Sequence, residues 1–253
     1  MPWETRRIRG KEYKISMYDR RFDQELETLG IQLTDVQKEQ FDRYYELLVE
    51  WNKVMNLTGI TEYDEVNLKH FTDSLTIVRL TDMTKISTLI DVGTGAGFPG
   101  IPIKIVFPHI KVVLLDSLNK RLKFLNTVID ELDLESVQTL HGRAEDHARN
   151  AEYREKFDLC VSRAVANLST LSEYCLPFVK KGGMFVSYKS GASDEEIKQS
   201  EKAIEILGGK IAKIDKFMLP DTDMGRSLVQ IEKVKNTPGK YPRKAGVPGK
   251  EPL

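Results

Sequence analysis

The chain reads as an α/β protein, an open and mostly parallel sheet closed by a terminal antiparallel hairpin and preceded by a small helical unit. Three observations predict it. Helical periodicity dominates to about Leu80, then gives way to short β-branched runs that alternate with helical stretches. The first of these runs leads into a turn holding Gly93, Gly95, Gly97 and Gly100. The last two flank the turn-rich stretch LPDTDMGR.

Taken in order, residues 1–16 show no apolar period and are expected to form a flexible arm, or an extension upstream of an internal start at Met17. From Asp19, Phe22, Leu26 and Leu29 recur at helical spacing, and Gly30 stops the helix. Thr34 and Gln37 fit a capping box that opens a longer helix, with Val36, Phe41, Tyr44, Leu48 and Trp51 as its buried stripe. A third helix follows Thr61, burying Val66, Phe71, Leu75 and Val78. Strands are expected at 87–91, 111–116, 137–141, 157–162 and 184–189, with helices between them, including 120–132 and a surface helix from Ser193 to Leu207 with Glu196 completing its cap. Residues 211–217 and 227–233 form the hairpin. The chain thus divides into an arm (1–18), a helical cap (19–80), a ligand-binding α/β domain (81–234) and a Pro/Gly-rich tail (235–253) without regular structure.

Composition narrows the function. The 253 residues carry 38 basic and 38 acidic side chains, and 40% are hydrophobic, which excludes both a uniformly basic chain and an acidic disordered one. The charge is uneven. Residues 1–21 carry a net +4 and residues 233–253 a net +5, so the body between them carries −9. No apolar run approaches the roughly 18 residues that span a bilayer. Cys160 and Cys175 lack metal-ligand spacing and read as reduced, buried thiols of a cytoplasmic protein. His109, His141 and His147 also lack ligand spacing, so no metal is expected.

The stretch Asp91-Val-Gly-Thr-Gly-Ala-Gly-Phe-Pro-Gly100 carries the chemistry. It lies between a strand and a helix, the context in which a glycine turn admits a nucleotide-like ligand close to the backbone. A dinucleotide fold uses G-x-G-x-x-G to receive a diphosphate. Here Asp91 precedes the turn and Phe98 sits inside it, which suits a cationic ligand such as S-adenosylmethionine, whose ammonium and sulfonium favour carboxylates, carbonyls and π faces. Asp116, at the end of the second strand, is placed for ribose hydroxyls, a device that nicotinamide-binding folds share. Gly142–Asp146 supplies further candidates around an adenine, although taken alone Glu145 or Asp146 reads better as a solvated helix cap.

These motifs resemble a known family. DVGTGAGFPGIP (91–102), LLDSLNKRLKFL (114–125), GRAED (142–146), VSRAVA (161–166) and TPGKYPRK (237–244) are similar to those of the bacterial RsmG proteins, also called glucose-inhibited division protein B, the 16S ribosomal RNA guanine-N7 methyltransferases. WNKVMNLTGIT (51–61) and LKHFTDSL (68–75) match as well, and the resemblance runs from about Phe22 to Tyr241. It implies a Rossmann-like class I methyltransferase core of seven strands with an N-terminal helical cap. It also implies S-adenosylmethionine as cofactor, with S-adenosylhomocysteine as product, and 16S ribosomal RNA or the small ribosomal subunit as partner of a monomer. Cofactor contacts carry over to Gly93, Phe98, Ala144, Glu145 and Arg163, with Asp116 as the second-strand acid. Asp91, Gly95 and Gly97 complete the expected cofactor set.

Guanine N7 has a lone pair and no proton, so no general base is needed and no nucleophile is assigned. Arg163 and Lys189 are the candidates for positioning. Lys189, Arg226, Lys235, Lys240, Tyr241, Arg243 and Lys244 are the candidate RNA contacts, the last five as a basic tail that tracks phosphates. Truncation after Val234 would then weaken RNA binding and spare the cofactor. His70 and Asp73, or Lys69 and Asp73, fit helix-face pairs, and Asn52 with Asn56 fits either buried contacts or substrate contacts. Two other readings compete: a nicotinamide oxidoreductase on a related sheet, and a non-catalytic RNA-binding assembly factor.

Overall fold

A computed structural model describes residues 5–8, 11–14, 20–163, 166–190 and 194–253, the first two segments as backbone. Asp19, Ser193, Ala164 and Val165, which the sequence reading had used, lie outside the described residues, as does Met17. The arm corrects one expectation. Strands β1 (Thr5–Ile8) and β2 (Lys11–Lys14) pair antiparallel where no regular structure was expected.

The cap holds α1 (Arg20–Thr28) and α2 (Asp35–Met55), then α3 (Tyr63–Val66), a π-helical turn (Asn67–Thr72), α4 (Asp73–Leu75) and a 3₁₀ turn ending at Arg79. The capping box forms as expected, with Gln37 N–H donating to Thr34 Oγ1 at 3.3 Å and Thr34 N–H donating to Gln37 Oε1 at 2.9 Å. Phe41, Tyr44 and Leu48 are buried and Trp51 packs beside them, but Val36 is exposed and Leu47 takes a core position. The same box docks the cap, because Gln37 Nε2 donates to Ile105 O at 2.8 Å. Gln40 Nε2 reaches Leu132 O at 2.8 Å.

The α/β domain runs β3 (Thr88–Val92), α5 (Gly100–Val106), β4 (Lys111–Asp116), α6 (Asn119–Glu131), β5 (Val137–His141), α7 (Ala144–His147), β6 (Phe157–Arg163), α8 (Leu168–Cys175), β7 (Val179–Lys189), α9 (Asp194–Ile206), β8 (Gly209–Met218) and β9 (Gly225–Lys233). The seven strands lie in the order β5-β4-β3-β6-β7-β9-β8, all neighbours parallel except those of β9. Successive side chains of a strand face opposite sides, so Leu89, Val112, Leu114 and Val161 join one core with the cap, α5 and α6. Ile90, Val113, Leu115 and Cys160 join the other with α8 and α9. Both cysteines are free and buried.

The tail is the main departure. Residues 235–253 pack against the second core and end in α10 (Val247–Lys250). Arg154 donates to Thr237 O at 2.7 Å and to Tyr241 O at 2.9 Å, and Arg149 to Pro242 O at 2.6 Å. Tyr241 is buried, and Arg243 binds Glu173, a fully buried carboxylate, through its backbone N–H at 2.7 Å and its guanidinium at 2.7–3.1 Å. Tyr241 and Arg243 are therefore committed to the core, whereas Lys235, Lys240 and Lys244 stay exposed. Proline and glycine argue against long regular elements but not against packing. Truncation after Val234 would also strip Thr237 Oγ1 from buried Lys233, whose Nζ lies 2.8 Å away.

Removing one member of a buried ion pair leaves the other charge uncompensated. Arg243→Ala is expected to cost about 3 kcal/mol in chemical denaturation. Replacing both partners, Arg243→Met with Glu173→Leu, should recover most of that loss, and equal losses in the two variants would contradict the pairing.

Candidate active site

A cavity of about 460 Å³ opens at the carboxyl ends of β3, β4, β5 and β6, where the strand order reverses on either side of β3. Ligands of open α/β sheets bind at such switch points, and the volume lies in the range of small-molecule sites. The glycine turn, Asp116, Ala144, Glu145 and Arg163 line it, as do Leu57, Thr58 and His70 from the cap.

The four glycines divide by task. Gly93 and Gly95 adopt positive φ and line the cavity. Gly97 and Gly100 face the protein. A Cβ on Gly97 would meet Tyr44 Oη at 2.5 Å, and one on Gly100 would meet Asp91 Oδ2 at 2.9 Å. Gly97 therefore lets α2 approach, with the Tyr44 hydroxyl donating to Ala96 O. Asp91, expected to meet a ligand, is fully buried behind the turn. Its Oδ2 accepts from Thr94 Oγ1 at 2.7 Å and from Gly100 N–H at 2.9 Å, which ties the turn to the start of α5. Burial pushes its pKa up to about 6, against the lowering effect of those bonds and of Arg163. Neither Asp91 nor Gly97 lines the cavity.

Asp116 does line it, nearly buried. Its Oδ1 accepts from Leu118 N–H at 2.8 Å, while Oδ2 accepts from Gly95 N–H at 3.0 Å and from Arg121 at 3.2 Å. One carboxylate thus joins the two loops that flank the cavity. Ala144 and Glu145 reach the cavity from α7, whose Glu145 is buried and accepts from Gly246 N–H at 2.8 Å.

The cap supplies the remaining wall through a relay of polar contacts. Asn56 ends α2 in the left-handed region, and Asn52 Oδ1 accepts from Thr58 N–H at 2.9 Å. Thr58 Oγ1 lies 2.8 Å from His70 Nε2, and the His70 ring stacks on Phe98 with centroids 4.6 Å apart. Arg163 sits over the same Phe98 ring at 5.1 Å and donates to Asp73 Oδ2 at 3.0 Å. Arg226 donates to Asp73 Oδ1 at 3.0 Å. Asp73 therefore bridges two arginines and does not make the expected helix-face pair, while Lys69 pairs with Glu65 one turn earlier. Burial above all, and then the charge of Arg163, holds the His70 pKa down to about 3.

Of the expected cofactor residues, Gly93, Gly95, Phe98, Asp116, Ala144, Glu145 and Arg163 converge on the cavity. Lys189 and Arg226 do not line it. Lys189 Nζ binds Glu196 at 2.6 Å and Ala166 O at 2.8 Å, and Arg226 is held by Asp73. Glu196 also accepts from Leu168 N–H at 2.9 Å; the cap expected of it involves Ser193, which lies outside the described residues. Sequence reasoning named Arg143 only as part of the Gly142–Asp146 stretch and did not place Thr58, Ser117, Arg121 or Tyr174 on the cavity. Thr58, Ser117 and Arg121 lie inside the recognised motifs, whereas Tyr174 comes from a distant segment that only folding brings in. Among the described residues, no group of three or more His, Cys, Asp or Glu side chains could hold a metal, and no helix is long and apolar enough to cross a membrane.

Between pH 4 and 6 the unfolded chain takes up a proton on His70 that the folded chain refuses, so this ring's contribution to stability rises with pH there, opposite in sign to that of Asp91. His70→Asn should reduce that slope by close to one proton, about 1.4 kcal/mol per pH unit. Urea denaturation across this range checks it, and an unchanged slope would mean that the ring titrates normally.

The family model for GidB, rRNA small subunit methyltransferase G, matches residues 37–224. A ribosomal RNA small subunit methyltransferase G of Lachnoclostridium phytofermentans is 56% identical over 232 residues, 92% of this chain and 96% of that protein. One from Brevibacillus brevis is 53% identical over 94% of this chain and 100% of its own length. Among solved structures, a putative methyltransferase of Haloferax volcanii, in complex with a methyltransferase activator, aligns with TM-score 0.56 at 13% identity, covering 74% of this chain and 98% of that one. A putative RNA methyltransferase of Pyrococcus horikoshii aligns with TM-score 0.51 at 11% identity, covering 65% and 84%. At such identities the solved structures speak for the fold, and the close relatives speak for the family. The chain has the Rossmann-like methyltransferase fold and belongs to the rRNA small subunit methyltransferase G family.

Proposed function

We propose that the protein transfers a methyl group from S-adenosylmethionine to N7 of one guanine in a functional loop of 16S ribosomal RNA, acting as a cytoplasmic monomer on the small ribosomal subunit or its RNA. The observation that carries this reading is the convergence of the glycine turn, Asp116 and Glu145 with the cap residues Thr58 and His70 around one cavity. The residues fit a cationic adenosyl ligand. Asp116 offers a buried carboxylate for ribose hydroxyls, and Asp91 Oδ1, buried behind the turn, has no hydrogen-bond partner among the described residues. A positive ligand would stabilise that carboxylate in its ionised form.

S-adenosylmethionine supplies an electrophilic methyl group on a sulfonium. The protein's own part is alignment, because the N7 lone pair attacks without losing a proton. Thr58, His70 and Arg163 form the wall for the acceptor base, with His70 neutral and its ring fixed on Phe98. Arg163 would oppose positive charge developing on the purine, but its pairing with Asp73 blunts this and suits it to orienting. N7 lies in the deep, narrow major groove of A-form RNA, so the base must come from a loop or leave its stack. The exposed Lys235, Lys240 and Lys244 would meet phosphates nearby.

Methyl transfer to small subunits from cells that lack the enzyme, with mass mapping of the modified guanine, tests the reaction. Absence of transfer across assembly states would leave a binding protein. Asp116→Asn should weaken cofactor binding by about 10- to 100-fold, the scale of a hydrogen bond to a charged group. Because Asp91 titrates near pH 6 in the free protein, cation binding should release a proton there and tighten as pH rises through 6. Calorimetry in buffers of different ionisation heat detects that proton, and Asp91→Asn should abolish it. Neutralising Lys235, Lys240 and Lys244 together should lower the salt dependence of RNA binding by about two log units per log unit of salt.

A further inference from the structure

We infer that residues 245–253 are a strap that positions the wall of the cofactor cavity; this rests on the proposed cofactor. Two residues of that wall, Glu145 and Tyr174, are each touched from behind by the C-terminal segment. Gly246 N–H donates to Glu145 Oε1 at 2.8 Å, across 101 residues of sequence. Gly249 packs so closely on Tyr174 that a Cβ there would lie 3.3 Å from the phenol oxygen. The path is held along its length. Thr170 Oγ1 donates to Pro248 O at 3.0 Å, and Ser169 Oγ donates to Leu253 O at 2.8 Å. Just before the strap, Arg243 is locked to Glu173, the residue before Tyr174.

Glu145 is only 3% exposed, on a four-residue helix that cannot by itself fix a side chain. Gly246 N–H satisfies one of its oxygens and sets the orientation in which the carboxylate presents itself to the cavity. Without the strap, water would compete for Glu145, Tyr174 would lose its backing, and the adenosine half of the ligand would meet a wall that must first be ordered. The segment lies beyond the family model's match, which ends at residue 224. It contributes no net charge, with Lys250 offset by Glu251, so its role is separate from phosphate contacts by the lysines before it.

The test compares S-adenosylhomocysteine binding by the full chain and by a chain ending at Lys244, each with Glu145 and with Glu145→Ala, by calorimetry. The strap predicts at least a tenfold loss on truncation when Glu145 is present and a smaller loss, through Tyr174 alone, in the Glu145→Ala background. Equal losses in the two backgrounds, or unchanged affinity, would overturn it, as would a truncation that lowers the salt dependence of RNA binding. Failure of the full chain to bind at all would remove the cofactor reading instead. If circular dichroism shows the truncated chain unfolded, Ser169→Ala with Thr170→Val loosens the strap in place and is judged by the same coupling to Glu145.

Discussion

A carboxylate with no access to water, Asp91, holds the centre of this protein together. It sits at the end of the central strand β3 and accepts one hydrogen bond from the glycine turn and one from the first residue of α5. That pair of bonds sets the path of the turn, and the path decides which backbone faces the cavity. A buried acid is costly unless bonded, and the cost shows in a pKa lifted to about 6. The turn is therefore shaped from behind, and Gly93, Gly95 and Asp116 line the cavity while the acid that organises them does not.

The same turn carries the cap. Tyr44 reaches Ala96 only because Gly97 has no side chain, and the ring stacks in line with Phe71 and Phe98. Gln37 and Gln40 add hydrogen bonds to α5 and to the end of α6. The cap thus belongs to the same core as the sheet. Its rigidity passes to the cavity through the relay from Asn52 to Thr58 to His70, and the π turn places His70 against Phe98 while Asp73 reaches two arginines. A cavity wall built on several braced elements is held more rigidly than a loop would be.

At the opposite side of the sheet the tail does comparable work. Its basic residues divide between Arg243, consumed by buried Glu173, and Lys235, Lys240 and Lys244, which remain in solvent. The uneven charge of the chain therefore overstates what is free to meet RNA. An acidic body with a few exposed lysines on the tail does not favour indiscriminate polyanion binding.

Periodicity and turn chemistry by themselves determined the long helices and the alternation of strands and helices in the α/β domain, though not β1, β2 or α10, since a side chain's face follows from 3.6- or 2-residue repeats that are local properties. The strand from Lys111 to Asp116 and the Thr34–Gln37 box are cases where local pattern and final structure coincide. The glycine turn and Asp116 were legible for a related reason, as their spacing already implies close approach to a ligand. Tertiary structure alone decided which glycines face the cavity, that Asp91 lies behind it, that Asp73 bridges Arg163 and Arg226, and that the tail packs on α8. These outcomes depend on contacts between residues tens to more than a hundred positions apart. Whether a charge finds a partner or stays in water is settled by that packing, because the energy of a charge depends on its surroundings far more than on its neighbours in sequence.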